Sequence, residues 1–302
     1  MSTTPTASAS ASAKFDPEKF DPEKIRSHPY YLGQPIIPND IAWATIDDGL
    51  FVVGVERSES VKTETLRESV EDTSTQTTAK ASQPVCFTMV ARLPFEGFFM
   101  DADGGWKGPM LYTKEFVDLK LTARAVTPPP GHPYAAEFSN VLQNLDALTD
   151  QVATSSRKTG LFNPQENPVR SVKLRHVLFE AKKADSPDRP DHPNAFPTKD
   201  WPVRSSQAKE DLAKIVNENT HQVYRLPVYD TNRLLVDPKH YRLKLVGAVV
   251  LVAFTLQRWA NDVFGADIQY MHILAPPPSG GSPSSKRVHP PQNDPGSPSK
   301  RP

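Results

Sequence analysis

Apolar residues recur at every second position through most of the patterned sequence, which is the period of half-buried β-strands rather than of helices. Ile41–Ile46 and Leu50–Val55 flank Asp47, Asp48 and Gly49, and Asp-Gly supplies the positive-φ positions of a tight turn, so this stretch reads as a hairpin. Strand character returns over Val85–Leu93. After a Gly-rich turn at Asp101–Trp106, the segment Phe116–Val126 alternates, with Val117, Leu119, Leu121 and Ala123 on one face and Lys120 and Thr122 on the other. Val172–Phe179 alternates basic and apolar residues as far as Val177, and Val223–Tyr229 forms a further strand before a turn at Asp230–Asn232. Gly247–Leu256 and Ala266–Leu274, joined through Ala260–Asp262, carry the strongest β signal. They read as a closing hairpin, with Val250, Val252, Phe254 and Leu256 facing Ile268, Tyr270 and His272.

Two segments switch to the helical period. Ala135–Val152 places Phe138, Val141, Leu142, Leu145, Leu148 and Val152 on one stripe. Gln207–Asn217, capped by Ser205 or Ser206, turns Leu212, Ile215 and Val216 inward. The expected fold class is therefore α+β: a mostly antiparallel barrel or sandwich of eight or nine strands with one or two amphipathic helices. No polar linker splits the strands, so residues 36–275 are expected to form one domain. Residues 56–83, which have no apolar face, and the Pro/Asp/His loop 184–202 are expected as mobile insertions. Residues 1–35 and the basic Pro/Ser-rich tail 276–302 are expected to be disordered. The arm repeats Lys14–Glu18 as Lys19–Glu23, which reads as a slipped duplication, with a docking motif built on Phe15 and Phe20 as the alternative.

Composition narrows the classes of function. The formal charge of the 302 residues is zero, so partners that require a strongly basic or acidic whole chain are disfavoured, although a local patch can hide in a neutral total. Thirty-one prolines are about twice the average share of ~5%, which agrees with a chain that folds in pieces. Cys86 is the only thiol, which excludes an intrachain disulfide and multi-Cys zinc sites and suits a reducing compartment. The N-terminal residues lack a charged and apolar leader, and the longest apolar run, Val246–Phe254, is far below the ~20 residues of a membrane helix. An intracellular protein, cytoplasmic or nuclear and away from membranes, is expected. Lys286, Arg287, Lys300 and Arg301 loosely resemble a two-part nuclear import signal.

The inventory of reactive side chains is thin. The chain holds no G-x-S-x-G elbow, phosphate loop, dinucleotide turn or H-E-x-x-H pair, so no catalytic residue, cofactor or metal is expected. Cys86 lies in an apolar strand and reads as an inert core position. Asp101–Gly105 opens like a calcium loop, but Gly105 and Tyr112 stand where further ligands belong, so a β-turn is the better reading. His176 and His272 fall in strands and read as hydrogen-bonded rather than metal-bound.

One constellation remains. Arg170, Lys173, Arg175, His176, Lys182 and Lys183 form a basic stretch, and Lys239, His240, Tyr241, Arg242 and Lys244 form another. Trp259, Tyr224, Tyr229 and Tyr241 add aromatic surface nearby in sequence. Small barrels that hold single strands combine such cations with stacking platforms. Arg170, Lys173, Arg175, Lys239, Tyr241, Arg242, Lys244 and Trp259 are therefore the candidate nucleic-acid contacts of an oligonucleotide-binding-like barrel.

The stretch Tyr241–Trp259, with Met271–Pro277, resembles the end of uncharacterised proteins of mushroom-forming (basidiomycete) fungi, which place a similar strand before a closing strand and a proline tail. The resemblance covers about a fifth of the chain. It implies a lineage-restricted intracellular protein and transfers no functional residue. The residues themselves favour a non-enzymatic macromolecule-binding or scaffold domain, a protein partner ahead of single-stranded nucleic acid. Nucleic-acid binding through the barrel is the alternative, and the sequence leaves the oligomeric state open.

Overall fold

The computed structural model describes residues 21–35, 40–46, 49–54, 83–110, 113–155, 158–163, 166, 170–182 and 192–278. The turn residues Asp47 and Asp48, Lys183, nearly all of 56–83, the first half of 184–202, and most of the arm and tail lie outside the described residues. In chain order the elements are α1 (Pro22–Arg26), β1 (Ile41–Ile46), β2 (Gly49–Gly54), β3 (Phe87–Arg92), β4 (Lys120–Val126), α2 (Phe138–Asp150), β5 (Ser171–Val177), β6 (Phe179–Ala181), β7 (Ala195–Phe196), α3 (Ser206–Glu218), β8 (His221–Tyr224), β9 (Val228–Tyr229), α4 (Tyr241–Leu245), β10 (Val249–Trp259) and β11 (Val263–Ala275).

Five of these strands close a ring. β10 and β11 pair antiparallel along their whole length, from Val249–Ala275 to Trp259–Val263. β10 then pairs with β3, β3 touches β4 at Arg92–Val126, and β4 pairs with β5 over seven residues. β5 returns to β11 through two parallel pairs, Leu174–Ala266 and Arg175–Asp267. Ranked by sequence, the ring runs first, second, third, fifth, fourth and back to first. This is the connectivity of the partly open, five-stranded Greek-key barrel called the oligonucleotide-binding fold. The expected class is the one observed, α+β and mostly antiparallel, and of the two architectures it is the barrel.

Alternation explains why the ring closes. Leu121, Ala123 and Ala125 of β4, Val172 and Leu174 of β5, and Val250, Val252, Phe254 and Leu256 of β10 are buried inside with Phe87 and Met89. Each large side chain so buried contributes about 1.5–3 kcal/mol. The helical stripe Phe138, Val141, Leu145 and Leu148 of α2 is equally buried and packs against β3. α3 is capped by the Ser205 side chain, which accepts from the Ala208 N–H (3.2 Å). β6, β8 and β7 form a separate small sheet beside the barrel.

The structure corrects several expectations. Part of the arm expected to be disordered is packed: within residues 21–35, Ile25, Tyr31 and Leu32 are buried. Tyr31 forms a bridge to Thr88, and Leu32 N–H donates to the Thr88 carbonyl (2.9 Å), so the arm fills the seam where β3 parts from β4. Ile25, Tyr31, Tyr134, Val90, Val249 and Leu251 make a second apolar cluster on the outer side of the barrel. The second half of 184–202 is also packed: Trp201 is buried, with its indole N–H donating to the Ala102 carbonyl (2.8 Å). Residues 116–118 form a 3-10 turn, so the strand starts at Lys120. A bulge between Ala253 and Phe254 resets the closing hairpin, and Val250, Val252 and Phe254 oppose Ile273, Met271 and Ile268, while Tyr270 and His272 oppose Ala253 and Leu251. Among the described residues, no helix is long and apolar enough to cross a membrane.

Candidate functional site

The alternation that turns Leu121, Ala123 and Leu174 inward must turn their neighbours outward. β4 accordingly presents Lys120, Thr122 and Arg124, and β5 presents Lys173, Arg175 and Val177. The register sets Arg124 directly opposite Lys173 and Thr122 opposite Arg175. Four cations thus share one face of two adjacent strands. Lys173 is held below the ordinary lysine range by burial and by Arg124, Arg175 and Lys120 around it. Lys120 is lowered too, by burial and then by Arg175.

The two arginines are positioned by neighbours. Arg124 donates to Ser171 Oγ (2.8 Å) and stands 3.9 Å from Glu166. Arg175 is clamped by Asp267 on β11, with one bond of 2.6 Å to Oδ2, and reaches Gln257 of β10 at 3.3 Å. Its guanidinium lies 3.7 Å from the centre of the Trp259 ring. Gly265 makes that stack fit, because a Cβ there would meet the indole at 2.8 Å and the Arg175 Nε at 2.9 Å. Lys120 and Lys173 make no ion pair with a carboxylate among the described residues.

Aromatics flank the cations. Phe99, in the loop between β3 and β4, bridges Thr122 and therefore shares its outward side. Phe99 is 47% exposed. At the other border, the β10–β11 turn that carries Trp259 is fixed by Asp262. That buried carboxylate accepts from the backbone N–H groups of Thr154 (3.0 Å) and Ser155 (2.8 Å) and from Arg258 (2.8 Å), which hold its pKa far below the usual carboxylate range.

Of the eight candidate contacts, Lys173, Arg175 and Trp259 come together on this face. Arg170 lies just before β5, exposed, its N–H donating to Glu166 (3.0 Å). The second basic stretch is elsewhere, ahead of β10 and at the opposite end of that strand from Gln257 and Trp259. Tyr241 there is fully buried and its hydroxyl donates to the Leu226 carbonyl (3.2 Å), so it offers no stacking surface. Lys239 stands 3.8 Å from Asp237, and Arg242 lies 3.5 Å from Asp101 and 5.0 Å over the Phe95 ring. Lys244 is exposed on α4. Lys120, Arg124 and Phe99 were missed by reading runs of charge, although the alternation of β4 already turned Lys120 outward.

Other candidate chemistry is absorbed by structure. His176 is buried and bonds the Tyr224 carbonyl (2.9 Å), and burial lowers its pKa. Cys86, expected inside a strand as a core position, instead lies just before β3 and is half-buried, and burial pushes its thiol up to about 11. Asp103 in the Gly-rich turn accepts from the N–H groups of Arg204 (2.6 Å) and Ser205 (3.0 Å), tying the turn to the start of α3.

No known family matches the chain, and no curated protein matches it. Among solved structures, the chain is similar to the single-stranded DNA binding protein gp2.5 of bacteriophage T7, with 9% identity and a TM-score of 0.32 over 66% of this chain and 91% of that one. It is also similar to the single-stranded DNA-binding protein of bacteriophage Enc34, with 8% identity and a TM-score of 0.35 over 81% of this chain and 94% of that one. The same phage protein in complex with single-stranded DNA gives 9% identity and a TM-score of 0.34 over 80% and 99%.

Proposed function

We propose that this protein binds single-stranded nucleic acid across the outer face of β4 and β5. The backbone phosphates follow Lys120, Arg124 and Lys173, and bases stack against Phe99 and Trp259. The observation that carries this reading is the direct cross-strand pairing of Arg124 with Lys173, with Lys120 and Arg175 beside them. Like charges placed directly opposite cost folding free energy. A polyanion laid over them offsets that cost and favours the protonated form of the lysines.

The aromatics favour a single strand over a duplex. Exposed rings beside a cationic groove offer stacking platforms, and only unpaired bases can reach them. The Arg175 guanidinium, over the Trp259 ring, widens that platform, since guanidinium planes also stack on bases. The loops involved, between the first two and the last two ring strands, are those through which this barrel architecture binds oligonucleotides. The sequence put a protein partner first because it showed folded strands, long polar segments and no coherent set of reactive side chains. Pairing β4 with β5 collects four cations on one face.

The test is fluorescence anisotropy with a labelled oligonucleotide of about 16 nucleotides, the upper end of the site sizes for one such barrel. Binding is expected at low salt, with log K falling linearly in log salt by about 0.7 for each phosphate neutralised. Replacing both Lys120 and Lys173 by Ala is expected to weaken binding at least about tenfold and to flatten the slope by about 1.4. A folded protein that binds no oligonucleotide at low salt would refute the proposal.

A further inference from the structure

A polar groove of about 620 Å³ adjoins the cationic face and is not used by the contacts described so far. Its size lies within the ~300–1,000 Å³ of small-molecule sites. Its floor is made by outward side chains of β10 and β11, among them Gln257, Asp267 and Gln269. Two of these, Gln257 and Asp267, are the groups that hold Arg175, so the groove opens where the proposed path of the strand ends. Phe51, which opposes Gln257 in the β2–β10 pairing, stands on one side. Asn194 and Tyr224, from the small sheet and its approach, stand on the other, with Glu180 at the rim.

The polar inventory suits the edge of a heterocyclic base. Primary amides present a donor and an acceptor side by side, the arrangement that pairs with base edges. The Asn194 side chain makes no hydrogen bond among the described residues, and Gln257 uses only its carbonyl oxygen, toward Arg175. Asp267 and Glu180 add carboxylate oxygens, which accept from exocyclic amines. Cytosine and adenine carry such an amine; thymine presents a carbonyl oxygen at the same place, which a carboxylate repels. Phe51 supplies a flat apolar wall.

We infer that this groove receives one nucleobase of the bound strand and favours amino-bearing bases over thymine or uracil. The inference rests on the strand-binding reading of the β4–β5 face and adds sequence preference to it. The test uses the full chain and a labelled oligo(dT) in which one internal thymine is replaced by cytosine or adenine. The substituted oligonucleotides are expected to bind about tenfold more tightly than oligo(dT), and Asn194→Ala and Gln257→Ala are each expected to collapse that difference. Circular dichroism spectra matching the parent would show both variants folded. Equal affinity for all three oligonucleotides would overturn the inference while leaving the strand-binding face intact. So would a preference that survives both substitutions. Absence of any binding, by contrast, would remove the strand-binding reading and this inference with it.

Discussion

Trp259 can sit against Arg175 only because residue 265 has no side chain. A Cβ at Gly265 would press on both the indole and Arg175, so Gly265→Val is expected to tip the ring off the face. Oligonucleotide affinity should then fall roughly tenfold, as it should for Trp259→Ala, since base stacking on an aromatic contributes ~1–3 kcal/mol. Anisotropy titrations of both variants measure this, with thermal melts to show that the barrel persists. Tyr241 predicts the opposite pattern. Its buried hydroxyl serves the Leu226 carbonyl, which also accepts from the Val228 N–H, so Tyr241→Phe should cost about 0.5–1.5 kcal/mol in denaturant unfolding and leave binding unchanged. Asp262 sets an acid limit. Its folded pKa is depressed below the unfolded value of about 3.9, so the unfolded chain binds the extra proton between the two. The stability it contributes is present above pH ~4 and is lost as pH falls toward the folded value. Melting curves collected from pH 5 down to 2 should therefore fall less steeply for Asp262→Asn than for the parent, and parallel curves would contradict this role.

Elements differ in how openly the sequence announces them. The β10–β11 hairpin, α2 and α3 were legible because each buries its face against many neighbours and so keeps a clean period over ten or more residues. The N-terminal arm was not. Ile25 and the pair Tyr31–Leu32 are buried among polar and proline residues without a repeating period, and nothing local says that they will fill a seam between β3 and β4. The arm is held by Glu137, which accepts from Tyr31 Oη (2.6 Å) and Arg26 Nε (2.8 Å). Glu137→Ala is expected to lower stability by about 1–2 kcal/mol, and hydrogen exchange should localise the loosening to residues 21–35 and their contacts on β3 and β10. Uniform exchange across the barrel would contradict this arrangement. Residues 192–202 were misread for a related reason: three prolines and few apolar residues disguise Trp201, which is nonetheless buried.

At the scale of the molecule, the closure of the barrel depends on two long-range contacts that no local pattern contains, the parallel β5–β11 pairs and the narrow β3–β4 junction. The site inherits that dependence. Lys173, Arg175 and Trp259 were legible as basic and aromatic residues, yet only the β4–β5 register reveals Lys120 and Arg124 as their neighbours. The run at 239–244 lies at the opposite end of β10 from Trp259, and its Tyr241 is buried in α4, so it does not join the β4–β5 face. The central claim, that a single strand crosses the outside of β4 and β5, is tested most directly by ultraviolet cross-linking of the full chain to a thymine-rich oligonucleotide, with the linked residues identified by mass spectrometry. Adducts on Phe99 and Trp259, abolished by high salt, are the predicted result. Adducts confined to the segment 239–244, or none at all under conditions where the protein is folded, would contradict it.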